Sequence, residues 1–280
     1  MQQSSPTSVN RFVEIPTCSL SAEWNISDGQ VQKRSENYRR YLTETSTKIP
    51  YLEIINDAHV LYIQHDVQQA MKNQRDQWEE INRLFLQAVR DNDVTKVIHA
   101  YTLDGRFFRV LNHHLAICVS ADDVEKMKIR KTVKMHYWEG PLDIATIFVC
   151  HPSLENLRFK QGIVFRGLCI KNEEDLREYQ TIGNRLLNKT FVSTSQDQNV
   201  AMMFAGVAWQ TETAHKCCLL KYTLIDSGQR TALDIHTLSQ FPQEKEVLLL
   251  PYANFQVTNY QHSRTNPNLI DIELRECRLD

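Results

Sequence analysis

The spacing of apolar residues changes once along this chain, and that change limits the possible folds more than any other feature. In DQWEEINRLFLQAVRDN, Trp78, Ile81, Leu84, Phe85, Ala88 and Val89 recur at helical spacing and make one apolar stripe, which reads as core. VTKVIHAYTLDG and RFFRVLNHHLAICV continue the pattern, with Gly105 as a break between two helices packed side by side. From about residue 160 the texture becomes short runs rich in β-branched and apolar residues: GIVFRGLCI, KTFVSTS, KCCLLKYTLID, RTALDI, KEVLLLP, NFQVTNY and LIDIELREC. These read as strands of a largely antiparallel half. Helices followed by strands predict an α+β architecture, with a helical lobe over 51–155 and a β-rich lobe over 156–280. Residues 1–50, polar and broken by Pro6, Pro16 and Pro50, read as an N-terminal extension to which the sequence assigns no role.

With 280 residues, 42% of them hydrophobic, the chain can bury a substantial core. A net charge of −2 supplies no bulk attraction for nucleic acid or an anionic membrane, so neither is expected as a partner. The start, MQQSSPTSVNRFVE, has neither a basic nor an apolar leader region, and the longest apolar run, IATIFVC, is far short of a membrane span. The expectation is a soluble, cytoplasmic protein. Seven cysteines without CxxC spacing point to free thiols in a reducing compartment, and adjacent Cys217 and Cys218 would face opposite sides of a strand. His113 and His114, about 100° apart on a helix, could not easily share a metal. With His136 and His151 they read as surface or capping residues, and no metal is expected.

Several chemistries are excluded by motif. There is no GxGxxG, HExxH, GxSxG or kinase signature. GIVFRG (162–167) has phosphate-loop spacing but is followed by Leu168 and Cys169 where lysine and a hydroxyl residue are needed.

Three stretches in the β half carry chemistry. In VFRGL, Arg166 interrupts an apolar strand, where an unpaired cation is costly to bury; it calls for an internal carboxylate or a bound anion such as phosphate. In FVSTSQDQNVAMMFAG a strand ends on Ser193, Thr194 and Ser195 before a helical stretch, and Ser195 with Gln198 resembles a capping box. Capping explains one hydroxyl and leaves Ser193 to face a ligand or a glutamate. In FPQEKEVLLLP, Glu244 and Glu246 flank Lys245; on an extended chain they would point the same way, roughly 7 Å apart, with Lys245 on the other face.

Arginine in an apolar strand, STS closing a strand and Glu-x-Glu opening one resemble, in order and spacing, the Arg-Ser-Glu class of mono-ADP-ribosyltransferases, the family of clostridial-type toxins and vertebrate ecto-enzymes. The resemblance runs through NKTFVSTSQDQNVAMMFAG and SQFPQEKEVLLLPYANFQV and more weakly to AYTLDGRFFRVLN, so it covers roughly residues 76–262. It implies a helical lobe packed on a β-sandwich of two mainly antiparallel sheets, with NAD as co-substrate in the cleft between them. Arg166 would hold the NAD phosphates, and Gly167 would offer its backbone to the nicotinamide amide. Ser193, with Thr194 and Ser195 beside it, would line the nicotinamide-ribose pocket and orient Glu246, and Phe204 would pack on the dinucleotide. Glu246 would be the catalytic glutamate, while Glu244 and Phe241 would recognise the acceptor. In this family Glu-x-Glu accompanies arginine as the acceptor, so the implied partner is a target protein with an accessible arginine.

The chemistry suits those roles. Cleaving nicotinamide from ribose develops an oxocarbenium-like cation, which a carboxylate stabilises more in the transition state than in the ground state. A guanidinium is protonated at any ordinary pH and needs a second carboxylate to take its proton as it attacks. Two alternatives keep the site: a NAD glycohydrolase with water as acceptor, and a non-catalytic NAD- or ADP-ribose-binding module, in which two glutamates beside a bound dianion would weaken affinity. Unlike the vertebrate members, the chain is expected to carry no leader, and its closing stretch, DIELRECRLD, is charged; Asn25 and Asn188 match the glycosylation pattern only incidentally.

Overall fold

The computed structural model describes residues 24–26, 30–103, 106–118, 139–170, 173–206, 216–264, 266 and 268–278; Gly105, His136, Pro6 and Pro16 lie outside the described residues. The helical half begins with α1 (Val31–Lys48) and α2 (Tyr51–Asp57), which runs on through π-helical turns over Ala58–Val67. Helices α3 (Arg75–Asp91), α4 (Thr95–Thr102), α5 (Phe107–Cys118) and α6 (Glu139–Cys150) follow. The stripe read on α3 is the buried one: Ile81, Leu84, Phe85 and Ala88 enter the core, with Trp78 and Val89 packed at its edge. Asn92 ends α3 in the left-handed region at φ 51°, its N–H on Ala88 O, a conformation asparagine tolerates better than most residues. Within the stretch read as an extension, α1 buries Val31, Tyr38 and Leu42 in the same core, so the helical lobe takes in these residues as well.

Nine described strands form one hydrogen-bonded sheet. In chain order they are β1 (Trp24–Ile26), β2 (Gly162–Ile170), β3 (Arg185–Asn188), β4 (Val192–Ser195), β5 (Lys216–Leu224), β6 (Ala232–Asp234), β7 (Glu246–Leu249), β8 (Asn254–His262) and β9 (Leu269–Glu276). Their spatial order is β1-β3-β8-β9-β5-β2-β4-β7-β6. All neighbours are antiparallel except β5 and β9. Two separate sheets were expected; the ladder is instead continuous, and its narrowest joint is a single pair, Phe165 opposite Ser195, between β2 and β4.

The ladder cannot lie flat. β7 and β8 are five positions apart in it, about 24 Å at ordinary strand spacing, yet only Leu250–Ala253 connect them, a reach of at most about 18 Å. The sheet therefore doubles back. Glu276, at the end of β9, closes the fold by accepting from Thr231 Oγ1 at 2.5 Å, just before β6, from Ser227 Oγ at 2.9 Å and from Ile225 N at 2.9 Å. A second core fills the interior, with Val192, Val247 and Leu249 from one arm and Phe255, Val257 and Ile272 from the other. The helices cover the outer face of β4 and β7 through Leu248, Leu250, Phe191 and Tyr252. The alternation along β7, odd residues inward and even residues toward the helices, is ordinary strand pleating. Cys217 and Cys218 divide in the same way between two clusters, as expected of neighbours on a strand.

The short crossover is held by a buried cation. Arg39 on α1 donates to Tyr252 O, Pro251 O and Arg230 O at 3.4, 3.3 and 2.6 Å, and burial lowers its pKa to about 10 despite the opposing field of Glu276. Ser35 Oγ adds a 2.5 Å bond to Tyr252 O, and Tyr38 stacks on the Tyr252 ring at 4.7 Å. These contacts hold Tyr252 at φ 68°, unusual for a bulky residue. Arg39→Ala removes the donor from three carbonyls at once and is expected to cost about 3 kcal/mol. A lowered urea midpoint at unchanged slope would show this, and an unchanged midpoint would dismiss the crossover staple.

Candidate active site

The three expected motifs fall on three successive strands of the ladder, β2, β4 and β7. Ser195 pairs with Glu246, and Ser193 with Leu248, so Ser193, Ser195, Glu246 and Leu248 share one face of the strands. Leu248 belongs to the helix-facing core, which places the polar cluster on the helical side of the sheet and outside the filled interior.

Ser193 is the exposed member of an otherwise buried strand, and its Oγ donates to Glu246 Oε1 at 2.7 Å. The contact is diagonal across the antiparallel pair, a reach that the strand geometry allows. Glu246 is 3% exposed at the start of β7, and its second oxygen, Oε2, lies 3.5 Å from Ser239 Oγ. Its backbone is equally fixed, with Ile235 N donating to Glu246 O at 3.1 Å.

Glu244 and Glu246 are both buried but not on one extended segment. Pro242–Glu244 is a single 3-10 turn, and Lys245 follows at φ 46°, in the left-handed region. The 7 Å, same-face reading of the pair is thus corrected: the chain turns between the two glutamates. Ser195 Oγ donates to Glu244 O at 2.7 Å and pins this turn to β4. Lys245 is exposed and pairs with Asp197 at 3.3 Å. Helix α7 (Gln198–Phe204) is capped by Asp197, whose side chain accepts from Asn199 N at 3.0 Å. That backbone bond first, and Lys245 second, hold the Asp197 carboxyl below the usual range. The capping role expected of Ser195 therefore belongs to Asp197, and Ser195 Oγ instead accepts from Asp197 N at 2.9 Å. Thr194 faces the other side of β4, its hydroxyl on Val247 O at 2.5 Å.

Arg166 lies one residue past the Phe165–Ser195 joint, half-buried, and the pleat sets it on the side of β2 that Val164 and Leu168 turn toward the second core, opposite Gly167 and opposite the face that carries Ser193 and Glu246. Gly167 has a packing duty. A Cβ there would come within 1.7 Å of Ala201 O and 2.6 Å of Ala205 N, so only glycine lets α7 lie on β2. Cys217 supports the same helix end, its Sγ donating to Ala205 O at 2.7 Å, and burial raises its thiol to about 11. Phe204 closes α7, and Phe241 precedes the turn bearing Glu244; both are half-buried.

Two contributors were missed in the sequence. Asn112 on α5 clamps the entry to β4: its Nδ2 donates to Phe191 O at 3.0 Å, and its Oδ1 accepts from Phe191 N at 3.1 Å. Ser239 is 7% exposed, approaches Glu246 and accepts from Phe241 N at 3.1 Å. Both lie within stretches that carry the resemblance, Asn112 at the end of AYTLDGRFFRVLN and Ser239 at the start of SQFPQEKEVLLLPYANFQV, but no role was assigned to either. Among the described residues no cluster of three or more His, Cys, Asp or Glu forms a metal site, and no helix is long and apolar enough to cross a membrane.

The family model described as NAD:arginine ADP-ribosyltransferase matches residues 32–278. No curated protein sequence matches the chain. Among solved structures, the ADP-ribosyltransferase HopU1 of Pseudomonas syringae pv. Tomato DC3000 is 13% identical over 90% of this chain and 99% of its own, with a TM-score of 0.50, a likeness of fold. The type III effector XopAI from Xanthomonas axonopodis pv. citri is 17% identical over 88% and 97%, with a TM-score of 0.49. The ADP-ribosyltransferase Vis of Vibrio splendidus, in complex with agmatine, is 21% identical over 66% and 74%, with a TM-score of 0.44.

Gly167→Ala is expected to destabilise the protein by about 2 kcal/mol, because the clash is with backbone that no rotamer change relieves. Urea unfolding measures it; an unaltered midpoint would mean that α7 does not sit on β2 as described.

Proposed function

Because the chain belongs to the NAD:arginine ADP-ribosyltransferase family, we propose that it moves ADP-ribose from NAD to arginine side chains of target proteins and releases nicotinamide. The observation that carries this reading is the buried Glu246 carboxylate, held by Ser193 at 2.7 Å, with buried Glu244 two residues before it on a separate turn.

In this reading the bond between nicotinamide and ribose C1′ breaks with its electron pair leaving on nicotinamide. Glu246 stabilises the resulting ribosyl cation, a charge absent from the neutral ribose ring of the ground state. Ser193 fixes the carboxylate beforehand, so little reorganisation accompanies the step. Glu244 orients the incoming guanidinium and takes its proton as nitrogen bonds to C1′. Arg166 supplies a bidentate donor to the pyrophosphate, Gly167 a backbone contact to the nicotinamide amide, and Phe204 apolar packing for the dinucleotide. Phe241 meets the acceptor at the turn. The Thr194 and Ser195 hydroxyls are already bonded to protein backbone, Thr194 on the other side of β4 to Val247 O, so Ser195 acts chiefly by holding Glu244 and Thr194 by joining the two strands.

The test follows labelled NAD into agmatine, a small guanidine acceptor, beside nicotinamide release. Glu246→Gln should lower both by about 100-fold or more, the scale of losing a group aimed at developing charge. Glu244→Gln should abolish transfer while nicotinamide release continues. Wild-type protein that releases nicotinamide and labels no guanidine would make the acceptor water or another side chain. Protein that binds NAD and does neither would be a binding module.

A further inference from the structure

We propose that Ser239 is a positioning residue that couples the acceptor-binding turn to the catalytic carboxylate; the proposal rests on the transferase reading above. Its hydroxyl accepts from Phe241 N at 3.1 Å, which leaves its single proton to donate. The acceptor within reach is Glu246 Oε2 at 3.5 Å, the oxygen opposite the one that Ser193 holds. Each carboxylate oxygen thus has a serine, one from β4 and one from the segment that leads into the turn.

The anchoring of this segment is divided. Leu238 N and Ser239 N both donate to Ile235 O at 2.9 Å, and Ile235 N donates to Glu246 O, so the residues up to Ser239 are fixed to β7. Beyond them, Gln240 N reaches Thr102 Oγ1 on α4 at a long 3.4 Å, and Phe241 begins a turn with exposed Pro242, Gln243 and Lys245, whose far end is tied back through Ser195 Oγ on Glu244 O and Gln196 N on Lys245 O. Ser239 is the last residue fixed to the catalytic strand and the first to bond the turn. A guanidine seated against Phe241 and Glu244 moves the Phe241 N–H, and with it the hydroxyl on Glu246. A shorter contact at Oε2 fixes the carboxylate for bond cleavage once an acceptor is present, and water alone supplies no such signal.

The experiment measures steady-state nicotinamide release from NAD, with and without agmatine, for wild type, Ser239→Ala and Ser239→Thr. The expected result is that agmatine accelerates release by wild type, that Ser239→Ala loses this acceleration and about tenfold in kcat, the scale of one hydrogen bond, at unchanged KM for NAD, and that Ser239→Thr restores both. Three results overturn the proposal: kcat of Ser239→Ala within twofold of wild type, an equal agmatine response in wild type and Ser239→Ala, or a loss confined to KM. If wild type transfers nothing to agmatine, it is the arginine reading that fails. Ser239 is then judged on release alone, where an unchanged kcat in the alanine variant overturns it and a tenfold loss rescued by threonine sustains it. Thermal unfolding of each variant separates collapse of the fold from loss of positioning.

Discussion

A guanidinium buried at Arg39 holds the turn on which the rest of the sheet depends. Five ladder positions separate β7 from β8, and four residues join them. That arithmetic permits one shape, a sheet folded over itself, and the fold-over leaves backbone carbonyls of Pro251 and Tyr252 pointing into protein. A buried carbonyl without a partner is costly, and Arg39 meets these two together with Arg230 O. The cation is itself expensive to bury, as its lowered pKa records. Its contribution is geometric: it fixes the end of β7, and the start of β7 is Glu246.

The site is assembled from parts with different tolerances. Ser193 and Glu246 are set by strand register, the most strongly specified relation in the fold, because a slip of one residue would turn Glu246 into the filled interior and Val247 out of it. Glu244 and Phe241 depend on a short turn whose backbone passes through the left-handed region at Lys245. Register gives the Glu246 carboxylate its place, and the turn that carries Glu244 and Phe241 is tied down separately, through Ser195 Oγ on Glu244 O. On the proposed reading, such a division suits a reaction in which the donor is always NAD and the acceptor sits on another macromolecule.

Much of this was legible in the sequence, and the limits were physical. The α+β organisation could be read because an apolar stripe such as that of α3 and short strand runs differ in period. Arg166, Ser193 and Glu246 could be placed on strands because apolar residues surround them. The continuous ladder could not be foreseen, since pairing between β2 and β4 rests on one residue pair and leaves no pattern. The Glu-x-Glu spacing misled because strand alternation was applied to a segment that is a turn; Pro242 was the available warning. Ser195 was read as a cap from its spacing to Gln198, whereas Asp197 competes for the same role from a closer position. The membership of α1 in the helical lobe was hidden by its polarity: only three of its apolar residues are buried, and Arg39 enters the core as a cation.

Asn112 binds Phe191 through atoms that every residue except proline carries, an N–H and a C=O. The clamp is therefore blind to the side chain at position 191, and substitutions there that keep the packing leave it intact. Position 112 has far less freedom: aspartate could accept but not donate, leucine could do neither, and glutamine is one methylene too long. Over sequence drift the burden falls on one partner of the contact, and the helical lobe can stay in register with the STS strand while the residues entering that strand change.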